Sequence, residues 1–517
     1  MDRSLTVIWP TEEAYAGLEP GEALRIADLP SGLADRGLSL TLSLPRSLCP
    51  EQEITFDLSH IRDFRPERLV RKSPYLANIL EASEAIAAAQ SRGTAIEDIT
   101  QRLQAWPGLP LDTQSISVDG PAKPPSGSSR ALDRILDLVA APEGSTPPSQ
   151  SLNGIKSTLD RHIGNVLSRV YQDPLFRRLE SLWRSIHLLL KQAAPDASPK
   201  CTVLPVEPSA LEESLDAALP RLVEDLPSLL LVDVPLDSSA HSLRLLEKIA
   251  ALGETLLIPA VCWLSPAFFH LGSFEEMDRL PYLPHHLEAP EYAKWRRLIG
   301  SPAADWLAVT CNRFVLRAPL PAPESQALPG LKEEEPLWGS PVWALASLLE
   351  RSRSRFGWPT HFSDWRQVRL ENMDTVPGSK GQGRATETVF TDERLHQLSR
   401  CHICPVMGAV NQDLVFAPLD STLSGKPLSG QVFASTMSQE LIAAREAYAG
   451  PLEASAIKDH LVRHFDGVFE RHGQTKPESL QVSTEETISG WRTRLSVLPS
   501  QAMLPAPQEL AMDLDWL

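Results

Sequence analysis

The sequence predicts an α/β fold, α+β overall, with mixed sheets flanked by helices and with extended arms that form strands. Three patterns carry this prediction. Apolar residues recur every three or four positions through residues 155–192, a continuous apolar run at residues 229–234 precedes a helical pattern, and residues 38–44 and 53–58 alternate between apolar and polar side chains. These patterns are typical of amphipathic helices, of a strand buried on both faces, and of half-buried strands.

The composition of the 517-residue chain restricts its function classes. A formal charge of -17 argues against nucleic-acid binding, because a phosphate-binding surface needs a basic stripe that this sequence lacks. The sequence contains neither an apolar run of about 18 residues nor a signal-peptide pattern, so we expect a cytoplasmic protein without membrane insertion. Six cysteines are too sparse for a disulfide framework, and reduced thiols are expected.

The first segments predict a small α+β region followed by a linker. Residues 1–112 hold the two alternating strands and two helices, the first beginning near Pro66. Residues 113–150 are rich in proline, serine and glycine, which is typical of a linker. Within them, residues 130–141 form a short amphipathic helix that is only marginally stable alone and should therefore dock on its own domain or on a partner. Its apolar residues are Leu132, Ile135, Leu136 and Leu138.

A helical pair opens the next predicted region, residues 151–320. Asp173 and Pro174 separate the two helices, because proline cannot donate the helical hydrogen bond and its predecessor avoids the α conformation. In the second helix, Glu180 and Arg184 are spaced to pair along one face. From spacing alone, this predicts a helix that faces the core and carries an ion pair on its surface.

An α/β core follows within the same region. The apolar run 229–234, a helical stripe closed by Gly253, and a second apolar run at 256–258 predict a βαβ unit. Residues 306–310 predict a further buried strand.

The C-terminal half is predicted to contain a loop and the remainder of the core. The Pro/Glu-rich loop covers residues 321–336, where three successive glutamates are expected to be solvated. Residues 337–517 form the last region. Its helices are predicted at 438–449 and 454–472, and its terminal strands at 480–484 and 491–498.

Several short sequence words resemble one protein family. Pro-Leu-Phe-Arg-Arg-Leu-Glu-Ser-Leu-Trp-Arg-Ser-Ile, at 174–186, resembles the signature of the large contractile-sheath subunit of bacterial type VI secretion systems, the TssC or VipB family. Tyr-Ala-Lys-Trp at 292–295, an apolar strand at 307–320 and Trp-Gly at 338–339 follow in that family's order. Asn312 stands where the family has proline. The matching positions are Phe176, Leu179, Glu180, Trp183, Arg184, Trp295, Arg313, Phe314, Trp338 and Gly339.

The N-terminal region resembles a second family in part. Asp-Phe-Arg-Pro-Glu at 63–67 and Ile-Leu-Glu-Ala at 79–82 resemble words of the small sheath subunit, TssB or VipA, although Ser83 replaces a usual arginine. The resemblance implies one polypeptide that joins a small-subunit-like region to a large-subunit-like one.

The resemblance implies a contractile tail-sheath-like fold and a structural function. The chain would be a sheath protomer that polymerises helically around an inner tube and contracts to propel it. Implied partners are further copies of the chain, a separate small sheath subunit if one is needed, an Hcp-like tube protein, the baseplate, and a ClpV-like AAA+ ATPase that grips helix 130–141. The implied inter-protomer strand contains Trp491, Arg492, Thr493, Arg494 and Leu495.

Two other functions remain open at this stage. One is a sheath-like accessory or adaptor that caps the sheath or joins it to the baseplate without polymerising. The other is an α/β enzyme, which the sequence does not favour. Cys401 and Cys404 lack the second pair that zinc needs, His460 and His464 lack the metalloprotease glutamate, and the glycines at 378–383 do not match a phosphate-binding loop. No cofactor, metal or catalytic residue is predicted.

Overall fold

The structure, a computed structural model, describes residues 4–10, 24–26, 38–92, 109, 152–194, 200–207, 210–320, 328–378, 381–488 and 490–516. The predicted linker with its helix 130–141, and residues 321–327 of the predicted loop, lie outside these ranges.

The strands of the described residues are β1 (Ser4–Pro10), β2 (Leu24–Ile26), β3 (Leu38–Ser43), β4 (Glu53–Leu58), β5 (Lys200–Val206), β6 (Leu229–Leu236), β7 (Ala260–Leu264), β8 (Leu307–Cys311), β9 (Phe314–Arg317), β10 (Leu337–Gly339), β11 (Leu370–Glu371), β12 (Val376–Pro377), β13 (Gly383–Arg384), β14 (Ile403–Pro405), β15 (Met407–Gly408), β16 (Leu414–Phe416), β17 (Ser479–Thr487), β18 (Gly490–Leu498) and β19 (Leu510–Trp516). The α-helices are α1 (Pro66–Lys72), α2 (Pro74–Arg92), α3 (Leu152–Gln172), α4 (Pro174–Gln192), α5 (Leu211–Glu224), α6 (Ala240–Leu256), α7 (Leu283–His286), α8 (Ala293–Ile299), α9 (Pro341–Phe356), α10 (Asp392–Arg400), α11 (Leu428–Glu446) and α12 (Ala454–Arg471).

These elements form a mixed α/β fold, as predicted, and they divide into two compact units. The larger unit contains residues 1–36, 178–318 and 335–517, and the smaller unit contains residues 37–177 and 319–334. The domain boundaries expected from the sequence remain predictions, since the limits of these two units fall at other residues.

The larger unit is built on a seven-stranded sheet with the order β14-β8-β7-β6-β1-β5-β2. All neighbouring strands in it are parallel except β2, which runs antiparallel to β5. The N-terminal strand β1 lies between β5 and β6, and its Val7 is aligned with Val203 on one side and with Leu231 on the other. The first residues of the chain therefore complete the sheet of the larger unit.

The βαβ unit predicted near residue 230 is confirmed, but one of its strands begins later than predicted. Helix α6 does not stop at Gly253; it continues to Leu256 and is capped by Leu257, whose φ is 54°. The second strand is β7, so the expectation of a strand at 256–258 is wrong. The apolar side chains there belong to the end of a helix. A short apolar run is compatible with a helix end and with the start of a buried strand, so the sequence pattern alone cannot decide between them.

The smaller unit contains the hairpin of β3 and β4 and the helices α1, α2 and α3. Both strands alternate as predicted: Leu40 and Phe56 are buried and aligned, while Thr41 is exposed, Thr55 is half-buried, and their hydroxyl oxygens lie 2.8 Å apart. The helix predicted to begin near Pro66 is also confirmed.

The expectation that all three glutamates near residue 334 are solvated is wrong for Glu333. This side chain is buried in the smaller unit, where its Oε1 lies 2.5 Å from the Arg177 guanidinium. Its second oxygen accepts a hydrogen bond from the Leu320 amide at 3.1 Å. Glu333 thus holds Leu320 and Arg177 together. The run of three acidic residues in the sequence indicates charge but does not indicate these contacts.

The C-terminal part of the larger unit packs α11 and α12 against an antiparallel sheet with the order β17-β18-β19. The two terminal strands predicted from sequence are confirmed, and β19 is an additional one. Helix α11 begins at Leu428, ten residues before its predicted start.

Candidate functional site

The segment that carries the strongest family resemblance begins with a capped helix. The Asp173 side chain accepts hydrogen bonds from the amides of Leu175 and Phe176, at 2.9 and 3.3 Å, which satisfies donors that the first turn of α4 leaves unpaired. Phe176 is fully buried against the rings of Tyr171 and Phe64, with centroids 5.2 and 5.6 Å away. The predicted helix break at Asp173 and Pro174 is confirmed.

Glu180, one turn further along α4, is a buried carboxylate held by two arginines. Its Oε1 accepts hydrogen bonds from the Nε atoms of Arg184 at 2.7 Å and of Arg317 at 2.9 Å, and its Oε2 accepts one from Arg317 Nη2 at 3.1 Å. The predicted pairing with Arg184 is confirmed. The expectation of a surface ion pair is wrong, because Glu180 is 0% exposed and Arg317, on β9, covers it.

The electrostatics of this buried carboxylate centre favour the ionised acid. Burial alone would raise the pKa of Glu180, but the charges and hydrogen bonds of Arg184 and Arg317 outweigh it and lower the pKa below its ordinary value. Because a buried charge is tolerated only when it is paired and hydrogen-bonded, Glu180 ties α4 to β9 within the larger unit.

Four more of the family-signature residues meet next to this centre. Arg313 forms an ion pair with Glu387 at 2.8 Å, and its guanidinium lies 5.4 Å from the centroid of the Trp338 ring. Phe314 is buried opposite Gly339 in the pairing of β9 with β10. A Cβ atom at Gly339 would lie 2.5 Å from Phe314 Cζ, so only glycine allows this close approach.

The Ser181 hydroxyl links these signature segments by donating to the Trp338 carbonyl oxygen at 3.1 Å. The structure therefore brings together signature residues from α4, β9 and β10, which are far apart in sequence. Leu179 and Trp183 are fully buried on α4, whereas Trp295 lies elsewhere in the core, with its ring 4.9 Å from that of Phe268.

Asn312, where the chain departs from the family pattern, is a buried residue with φ of +75°. Its side-chain nitrogen donates to the carbonyl oxygens of Thr388 at 2.9 Å and Val406 at 2.7 Å, and its side-chain oxygen accepts from the Thr388 amide at 3.0 Å. One side chain thus satisfies three backbone groups just beyond β8. The sequence gives no signal for this role beyond the departure itself, because a positive φ is visible only in three dimensions.

Asp233, which the sequence did not single out, lies half-buried at an irregularity of β6, and its Oδ2 accepts a hydrogen bond from the Trp343 indole at 2.8 Å. Burial raises the pKa of Asp233 from 3.8 to about 6. The Asp233 carboxyl therefore binds its proton more tightly in the folded protein than in the unfolded chain. As the pH rises from about 4 to about 6, the free energy of unfolding decreases, and it does not recover at higher pH.

We predict that Asp233→Asn raises the free energy of unfolding at pH 7.5 by up to about 2 kcal/mol, since the amide retains an acceptor for Trp343 without a buried charge. At pH 4.5 the gain should be much smaller. Urea unfolding of variant and wild type at both pH values measures it, with Asp459→Asn on the exposed face of α12 as the control. An equal difference at both pH values would contradict the assignment.

The C-terminal strand β18 holds the residues predicted to form an inter-protomer strand. Thr493 and Leu495 are fully buried, while Arg492 and Arg494 form ion pairs with Asp515 at 2.7 Å and Asp513 at 2.9 Å across the pairing with β19. Trp491 is half-buried, and its indole donates to the Leu452 carbonyl oxygen at 3.0 Å.

Both edges of β18 are paired within the chain, to β17 and to β19. The outer edges of β17 and β19 have no strand partner among the described residues. An added strand would therefore meet one of these outer edges first, and the inter-protomer role of β18 itself stays a prediction.

The side chains that resemble redox or metal sites make other contacts. Burial raises the pKa of Cys401 and of Cys404 to about 12, so both remain neutral thiols at neutral pH. His460 and His464 are half-buried: the first contacts the Ala444 carbonyl oxygen at 2.8 Å and the second pairs with Glu440 at 3.0 Å. No cluster of three or more metal-ligating side chains occurs among the described residues.

No helix in the part of the chain that the structure describes is both long and apolar enough to cross a membrane.

Comparisons with known proteins match this chain to sheath proteins. Residues 227–422 match the VipB family model, described as EvpB/VC_A0108, tail sheath N-terminal domain. The type VI secretion system sheath protein TssC1 of Pseudomonas aeruginosa is 23% identical over 296 residues, which are 51% of this chain and 59% of that relative. The matched part thus spans less than two thirds of the relative's length.

Two solved structures are similar in part. A chain of the anti-feeding prophage baseplate is 13% identical with a TM-score of 0.37, and the match covers 60% of this chain and 72% of that one. The sheath tail protein of Desulfitobacterium hafniense is 7% identical with a TM-score of 0.33, covering 59% of this chain and 60% of that one. The match of residues 227–422 to the VipB tail-sheath model, together with the TssC1 relative, confirms the resemblance of this chain to the large sheath subunit of type VI secretion systems.

Proposed function

We propose that this protein is a protomer of a type VI secretion contractile sheath, which polymerises helically around an inner tube in the cytoplasm and contracts to propel that tube. The observation that carries the proposal is the match of residues 227–422 to a tail-sheath domain model, since the buried core of these residues is continuous with the sheet and helices around it. Its relatives are sheath proteins, and the proposed role is structural rather than enzymatic.

The C-terminal sheet supports polymerisation by strand addition. Strands β17 and β19 each present an outer edge without a strand partner in the described chain, and such edges accept strands from other copies. A contact between two different surfaces of identical subunits need not close into a ring, and an open series of such contacts gives a helical filament.

Contraction needs no hydrolytic site in the protomer itself. If the contracted packing of the polymer has the lower free energy, assembly in the extended state stores the difference, as in other bistable assemblies. We propose that a ClpV-like AAA+ ATPase then dismantles the product by gripping helix 130–141, through Leu132, Ile135, Leu136 and Leu138. The inner tube would be Hcp-like, and the sheath would start at the baseplate.

Negative-stain electron microscopy of the purified chain, expressed alone at moderate salt, tests the proposal. Hollow tubules are the expected result, because the N-terminal region resembles the small subunit and would complete the sheath interface within one polypeptide. Particles that stay monodisperse at all concentrations would contradict a single-chain sheath. Repeating the preparation with a separately encoded small subunit then separates a two-subunit sheath, which would form tubules, from an accessory protein, which would not.

A further inference from the structure

Two surface features of the larger unit expose large apolar side chains beside charged ones, and no contact within the described chain covers them. The first is the acidic tip of the β17–β18 hairpin, defined by Glu485, Glu486 and Ile488. The Ile488 side chain is fully exposed, and both glutamates are exposed without an ion pair to any described residue. Glu485 faces Arg492 across the hairpin, but the Arg492 guanidinium is already occupied by Asp515 at 2.7 Å.

The second feature is an aromatic and cationic surface, the Trp365 platform, defined by Trp365, Arg366, Phe416 and Arg355. The Trp365 side chain is 41% exposed, and its ring lies 5.6 Å from that of Phe416. The Arg366 guanidinium stacks 4.7 Å from the centroid of the Trp365 ring.

The platform has a net positive charge. Arg355 donates to the Gln367 carbonyl oxygen at 3.0 Å, and neither it nor Arg366 forms an ion pair with a described residue. The neighbouring Asp364 carboxylate accepts a hydrogen bond from the Gln367 side chain at 2.8 Å. Exposed tryptophan and arginine are the residue types that dominate binding energy at protein interfaces.

We infer that the acidic tip of one copy binds the Trp365 platform of a second copy of this chain, an inference that rests on the proposed polymerising function. Within one chain the two features do not cover each other, since Ile488 is fully exposed. The tip offers an aliphatic side chain for the Trp365 ring and a carboxylate for the Arg366 guanidinium, which forms strong charge-assisted hydrogen bonds.

The overall charge of the chain points to the same pairing. At a formal charge of -17, two copies repel each other at most orientations. When the acidic tip of one copy binds the cationic platform of another, opposite charges attract at that contact. This attraction favours one relative orientation of the two copies over the others. The two surfaces differ, so the contact is head to tail and can propagate along a filament.

Thiol cross-linking between two variants tests the contact directly. The six native cysteines are buried, so a short bifunctional maleimide should react mainly with introduced surface cysteines. We expect a cross-linked dimer when Thr487→Cys at the tip is mixed with Gln367→Cys beside the platform, and none from either variant alone. Absence of the mixed dimer overturns the inference, whether or not the wild-type chain forms tubules.

Charge reversal tests the contribution of the contact to assembly. Arg366→Glu and Glu486→Arg should each raise the protein concentration needed for assembly about tenfold, and combining both in one chain should restore it. Lys458→Glu, an exposed charge reversal on α12, is the matched control and should leave assembly unchanged. If Arg366→Glu behaves like this control, the inference is wrong while the sheath function stands; if the wild type itself never assembles, the sheath function fails and the cross-link alone decides the contact.

Discussion

Replacing Glu180 by alanine is expected to lower the free energy of unfolding by about 3–5 kcal/mol, a large part of the stability of a typical domain. The substitution removes the buried carboxylate that accepts hydrogen bonds from Arg184 and Arg317, and Arg317 is itself a residue that is only 8% exposed. The cost comes mainly from removing one partner of a buried charge pair while the other partner stays buried.

Urea unfolding followed by far-UV circular dichroism measures the effect. The double replacement Glu180→Met with Arg317→Met should be less destabilising than Glu180→Ala alone, because it replaces both members of the buried Glu180–Arg317 pair by apolar side chains. Glu84→Ala is the matched control, since Glu84 faces Arg71 at 4.0 Å in an exposed pair and should contribute less than about 1 kcal/mol. An effect of Glu180→Ala no larger than that of the control would contradict the buried-centre assignment.

The same carboxylate should contribute to acid sensitivity. The pKa of Glu180 is lowered in the folded protein, so its stabilising contribution is complete above the ordinary glutamate pKa of 4.5 and is lost as the pH falls further. The Asp233 carboxyl, with its raised pKa, acts in the opposite direction at higher pH. Each variant should therefore be compared with wild type at the same pH.

Local periodicity was sufficient to predict most helices and several strands. The stripe of α4 and the break at Pro174 follow from properties of neighbouring residues, and so does the alternation in β3 and β4. Prediction failed where a short apolar segment fits two structures. Residues 256–258 end α6 instead of starting a strand, and the choice depends on how Gly253 packs: a Cβ there would lie 2.8 Å from the Ile258 carbonyl oxygen.

Contacts over long sequence distances account for the rest. The spacing of Glu180 and Arg184 predicts their pairing, but nothing near them indicates that Arg317 buries the pair. Glu333 shows the same limit, because its partner Arg177 is remote in sequence. The position of β1 between β5 and β6 could not be predicted either, since the residue pattern of a strand indicates which side chains are buried and not which strands it pairs with. The long-range contacts that these signature residues make were therefore not predictable from the sequence.

The largest backbone effect is expected at Asn312. Replacing Asn312 by proline should prevent stable folding, because proline fixes φ near -65° and this residue has φ of +75°. We expect a loss of at least about 3 kcal/mol from the backbone conflict alone. Asn312→Pro also deprives Thr388 and Val406 of the partners that the amide supplies.

Asn312→Gly separates these two contributions. Glycine retains the positive φ at little cost but loses the three side-chain hydrogen bonds, for which we expect about 2–3 kcal/mol. Soluble yield and urea midpoints of the two variants should thus rank wild type above Asn312→Gly and Asn312→Pro last. A proline variant as stable as the glycine variant would mean that the chain after β8 can adopt a negative φ without strain. The opposite result would mean that this segment depends both on the positive φ and on the amide that holds β8 to the segments at Thr388 and Val406.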